Sequence, residues 1–200
     1  MGSTGLVVSP IGLGLAALGR PAYITIGRGT DLGTDRSVAA MERRCHDMLD
    51  TAYSAGIRYI DTARSYGMAE AFLASWFTQR SVPREAITVG SKWGYTYTGA
   101  WRLDAPIHEV KDLSLAALRR QVAESQALLG DRLRLYQIHS ATTESGVLAS
   151  AGRNRPTRFA GPWTLRSMAS ISSSQCRRRG TSWRHRRDRP SPMQRREGGA

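Results

Sequence analysis

From Val38 onward the apolar side chains fall at Val38, Met41, Cys45, Met48, Leu49 and Ala52, one face of a 3.6-residue period, and Gly56 follows as a stop. That spacing predicts an amphipathic helix. Ile57 to Asp61 is then a short β-rich run, and Met68, Phe72, Leu73 and Trp76 mark the inward face of a second helix that ends before Pro83. Ile87, Thr88 and Val89 form the next strand. A third helix is predicted to start at Ser114, a good N-cap, to carry Leu115, Leu118, Val122 and Leu129 inward, and to stop at Gly130. Leu133 to Ile138 is the strand after it. With Ile11 to Ala16 as an opening strand, the order reads β α β α β α β, which implies an α/β fold with a parallel sheet and right-handed crossovers. Between these elements Trp93 to Leu113 shows no clear period and reads as a long loop. Its Trp93, Tyr95, Tyr97 and Trp101 make it a pocket wall, with Trp93 and Tyr95 the candidate substrate contacts.

Length and charge change this picture at one end only. The chain has 200 residues, whereas a complete eight-fold α/β barrel needs roughly 250. Residues 1–150 hold 16 Lys and Arg against 14 Asp and Glu, so +11 of the net charge of +13 belongs to residues 151–200, with 13 Arg against Asp188 and Glu197. That last stretch has one Leu, one Ile, no Val and four Pro, without a period able to bury a face. Composition predicts a disordered basic tail after a folded domain of residues 1–150. An Arg-rich tail is also what a non-enzymatic protein would use to hold nucleic-acid phosphates, but only Phe159, Trp163 and Trp183 are there to stack on bases, and no specific nucleic-acid partner is expected.

Two cysteines, Cys45 and Cys176, make no disulfide framework, which fits a reducing compartment. Pro10, Gly12, Gly14 and Gly19 interrupt any helix of signal-peptide type, and no apolar run approaches the ~18 residues of a membrane span. The expected location is cytoplasmic, with no membrane partner.

In a parallel barrel, chemistry sits at the C-terminal ends of the strands. The second strand ends at Asp61, the third at Lys92 and the fourth at His139, and Tyr66 lies on the loop leaving the second. An acid, an ammonium, an imidazole and a phenol thus converge on one mouth. Competing motifs are weaker. Gly12, Gly14 and Ala17 satisfy a loose dinucleotide fingerprint, but Gly19, Arg20 and Pro21 would stop the helix it requires. His108 and Glu109 open like a zinc-protease motif whose second histidine is Asp112 instead, and no metal site is expected.

The strings YIDTARSYG (59–67), ITVGSKWG (87–94) and LYQIHS (135–140) resemble, in order and spacing, the signature segments of the aldo-keto reductases, over about Ile11 to Ser150. The resemblance implies a (β/α)8 barrel of which about the first four β/α units are visible. It implies NADP or NAD as cofactor, an aldehyde, ketone or aldose as substrate, and Asp61, Tyr66, Lys92 and His139 as catalytic residues. Gly14 and Asp61 are the expected cofactor contacts. Reducing a carbonyl with a nicotinamide hydride builds negative charge on oxygen and needs a proton donor, which Tyr66 supplies. Lys92 would bring the phenol's pKa of about 10 nearer neutrality, Asp61 would anchor Lys92, and His139 would orient the substrate oxygen.

The family holds its cofactor largely on strands five to eight, which the pattern does not show, so cofactor binding and activity of this chain are expected to be impaired. Nothing in the sequence fixes the oligomeric state. Permitted codons for Arg166 to Arg184, started two bases later, encode VDGVDLFESVQATWNLLE, similar to the family's sixth-strand region. The same shift over Arg153 to Leu165 gives EPAHAVRRTVDA, similar to the helix before it. A reading-frame shift near residue 150 is therefore expected, with roughly 25 residues of the fifth-strand region also missing, judged from the size of a barrel repeat.

Overall fold

A computed structural model of the chain describes residues 5–22 and 31–142. The expected tail over 151–200, the domain boundary at 150 and the proposed frame change all lie outside them.

Four strands, β1 (Leu13–Gly14), β2 (Tyr59–Asp61), β3 (Thr88–Trp93) and β6 (Leu133–Ile138), form one sheet in the order β1-β2-β3-β6. Every pairing is parallel. Helix α1 (Val38–Ser54) crosses from β1 to β2, α2 (Ala69–Gln79) from β2 to β3 and α3 (Leu115–Leu129) from β3 to β6. This is the α/β order that the periodicity predicts. The opening strand is shorter than its apolar run, which leaves Ile11 exposed.

The aperiodic stretch after β3 is more ordered than a loop. It holds β4 (Tyr95–Tyr97) and β5 (Glu109–Lys111), an antiparallel pair in which Tyr95 faces Lys111 and Tyr97 faces Glu109. Three-residue strands are too short to show a period of two.

Between the helices and the sheet Leu15, Met41, Leu49, Ile60, Phe72, Leu73 and Trp76 are buried in one cluster. Trp76 meets the edge of Tyr53 at 5.9 Å between ring centroids, while its indole N–H donates to Asp50 at 2.8 Å. A buried indole N–H usually finds such a partner.

The helix faces differ in part from expectation. Val38, Met48 and Met68 are exposed, and His46 and Glu70 are buried. In α3 the inward residues are Ala117, Gln121, Ser125 and Leu129, spaced by four, whereas Leu115 is exposed. Polar partners explain the rotation. The Gln121 side chain accepts from Gly94 N at 2.9 Å and donates to Tyr95 O at 3.0 Å, so α3 grips the turn between β3 and β4. The helix ends are as predicted: Ser114 Oγ accepts from Ala117 N, and Gly130 closes the helix at φ 56°.

Candidate active site

The sheet register brings the predicted polar residues to one end. Gly14 pairs with Asp61, Asp61 with Gly90 and Lys92 with Gln137. Side chains alternate across a strand, so Gly90 and Lys92 share one face and Val89, Ser91 and Trp93 the other. Lys92 stands two residues beyond Asp61 in register, and its flexible stem closes that offset. Its ammonium donates to the Asp61 carboxylate, to Thr62 O at 3.0 Å and to Tyr66 Oη at 3.3 Å. The same nitrogen lies 4.9 Å from the Tyr66 ring centroid.

His139 follows β6 directly and is held through its backbone, which donates to Trp93 O at 2.8 Å. Its ring meets Tyr66 edge-on at 5.6 Å and Tyr95 at 5.1 Å, and Nδ1 lies 3.4 Å from Ser65 Oγ. Asp61, Tyr66, Lys92 and His139 are therefore one group, and Tyr95 forms its wall. Trp93, the other expected pocket residue, is buried, and strand alternation puts its side chain on the face of β3 opposite Lys92.

Tyr66 owes its place to two glycines. Met68 N donates to Gly19 O at 2.6 Å, and a Cβ on Gly67, whose φ is +64°, would collide with that same carbonyl. A Cβ on Gly19 would in turn collide with Tyr66 O. Only glycine allows the two backbones to come so near.

Two charged elements around the group escape the sequence pattern. Arg20, buried after β1, bridges to Glu109 of the hairpin at 3.1 Å and lies over the Tyr97 ring at 5.7 Å. Glu70, buried in α2, accepts from Arg64, Ser91 and Ser125. A lone Glu beside Met68 in a helical pattern reads as solvent-facing, and Glu109 reads only as part of a broken zinc motif. No sequence signal marks Glu70 as buried or Glu109 as a partner of Arg20.

The electrostatics differ from the expected tuning. Burial first, then the carboxylates of Asp61 and Glu109, push the Tyr66 phenol above its ordinary value, with Arg20 opposing. Lys92 touches the phenol, but its charge is balanced by Asp61. Burial, and then the Lys92 ammonium, lower His139 below 6.5, which leaves its imidazole neutral at pH 7. At the end of β1, Gly14 is exposed, and a Cβ there would meet nothing within 4 Å.

A family model described as the aldo/keto reductase family matches residues 10–149. Over 146 residues the chain is 30% identical to the uncharacterized oxidoreductase YrpG of Bacillus subtilis (strain 168), a match that takes in 70% of this chain and 38% of that relative. Two solved structures from Pseudomonas aeruginosa, both assigned to the aldo-keto reductases, are 28% and 29% identical over 73% and 74% of this chain and 48% of their own, with TM-scores of 0.49. The chain spans less than half the length of each of these relatives. A four-stranded parallel α/β sheet and a family match across 10–149 together show that the chain belongs to the aldo/keto reductase family.

Proposed function

We propose that residues 5–142 carry the proton-transfer half of a nicotinamide-dependent carbonyl reductase acting on aldehydes, ketones or aldoses, with Tyr66 as proton donor. The observation that carries this reading is the group itself: a protonated phenol 3.3 Å from an ammonium, with a neutral imidazole at the same mouth. Gly14, which leaves the end of β1 open, and Asp61 beside it would hold the nicotinamide of NADP or NAD, which when bound supplies the hydride that the carbonyl carbon accepts.

Each side chain then has one task. Tyr66 gives its proton to the carbonyl oxygen as negative charge develops there, and its raised pKa keeps that proton in place until then. The Lys92 ammonium stabilises the phenolate left behind, a charge-assisted contact stronger than a neutral one. Asp61 holds Lys92. His139, neutral, donates a hydrogen bond to the same oxygen and orients it. Tyr95 closes the wall over His139 and keeps water from the reacting atoms.

The parallel sheet of the described residues has four strands, and the 200-residue chain is expected to show little turnover, because an error of 1 Å in placement alone can cost about 10²-fold. The test extends residues 1–142 with the second half of the Bacillus relative and follows nicotinamide absorbance with a panel of aldehydes and aldoses. Tyr66→Phe should lower turnover by roughly 10²- to 10⁴-fold while nicotinamide fluorescence shows unchanged cofactor binding. Undiminished turnover in Tyr66→Phe would remove the phenol from the mechanism.

A further inference from the structure

Behind the strand ends, on the helix side of β3, Glu70 is only 1% exposed. Its Oε1 accepts from Ser91 Oγ at 2.6 Å and from Ser125 Oγ at 2.8 Å, and its Oε2 from Arg64 at 2.6 Å. Arg64 reaches on to Glu124 at 2.9 Å. Through one carboxylate, α2, β3, α3 and the loop after β2 are tied together. Fold stability gives little reason for the arrangement, since well-packed apolar residues can replace a buried ion pair without loss.

The identity of its partners gives a better one. Ser91 precedes Lys92, and Arg64 stands two residues before Tyr66. The Arg64 backbone N–H also donates to Lys92 O at 3.0 Å. Neighbours in a strand point to opposite faces, so a grip on Ser91 from behind fixes Lys92 in front. We propose that Glu70 is a positioning residue: by tying the loop that bears Tyr66 to the strand that bears Lys92, it sets the separation of the Lys92 ammonium from the Tyr66 hydroxyl. The inference rests on the reading of these two residues as the reacting pair, and its test uses no turnover, so the two can fail separately.

The chain contains two lysines, Lys92 and Lys111. Isotope-labelled lysine therefore gives two sets of side-chain resonances, which Lys111→Arg assigns. The Lys92 ammonium lies 4.9 Å from the Tyr66 ring centroid, and the chemical shift of the ε-methylene bonded to it reports their relative placement. Glu70→Gln keeps the shape but weakens the hold on Arg64 and the serines, and the Lys92 signals should shift and broaden. Asp50→Asn, which breaks an exposed ion pair with Arg80, should leave them in place. Ser91→Ala removes one link and should move them in the same direction by less, and it decides the matter alone if Glu70→Gln does not fold. Lys92 signals at the wild-type position in folded Glu70→Gln, or in Ser91→Ala, would overturn the proposal.

Discussion

Tyr66 lies within reach of the Lys92 ammonium and still holds its proton more firmly than a free phenol, because burial and the carboxylates of Asp61 and Glu109 outweigh the opposing Arg20. Asp61→Asn should reverse that balance: one of the carboxylates raising the phenol is gone, and the Lys92 charge is released toward the ring. The Tyr66 pKa, followed by ring-carbon NMR, should fall; an unchanged value would mean that Asp61 does not govern the phenol. His139 gives a pH effect of definite sign. Its folded pKa is depressed by burial and by Lys92, so below the unfolded value of 6.5 the unfolded chain takes up the proton first. Its contribution to stability is complete above that value and is lost as pH falls toward the folded pKa. His139→Gln should flatten this part of the urea-midpoint profile, and an equally steep profile would place the loss in other groups. Asp61, Lys92 and His139 are legible in the sequence because polar residues at the ends of short apolar runs stand out against them, and Tyr66 by its place on the loop that leaves the second strand. The opposing carboxylate of Glu109 is not legible, since it reaches the site from a hairpin without sequence period.

Among the elements, the loop joining β2 to α2 is the most constrained. Gly67 and Gly56 both have positive φ, +64° and +85°, but a Cβ at Gly56 meets nothing within 4 Å while one at Gly67 strikes the Gly19 carbonyl. Gly56→Ala should therefore cost only the backbone term, about 1 kcal/mol. Gly67→Ala should cost more, roughly 2–4 kcal/mol once overpacking is added, and should displace Tyr66. Equal losses by urea unfolding would show that the close approach of the two backbones is not the constraint. Helix limits at Ser114 and Gly130 follow from capping chemistry and are readable without a structure. The rotation of α3 is not, because Gln121 and Ser125 look solvent-facing until their partners on β4 and α2 are known. Polar residues on a buried face carry no periodic signal. The same physics hides Glu70.

For the molecule as a whole, β1, β2, β3 and β6 place Gly14, Asp61, Lys92 and His139 at one end of a single parallel sheet, a consequence of direction and register alone. The chain spans 38% of its Bacillus relative, so the account concerns that part of the fold, where Asp61, Tyr66, Lys92 and His139 lie. Its central claim is that this part assembles the group in the 200-residue chain itself. With two lysines in the sequence, the claim can be read from nuclear Overhauser effects between the Lys92 ε-methylene and aromatic ring protons. The account predicts a strong effect to the Tyr66 ring, lost in Tyr66→Ala. A Lys92 methylene with no effect to Tyr66, in a chain that is otherwise folded, would contradict it.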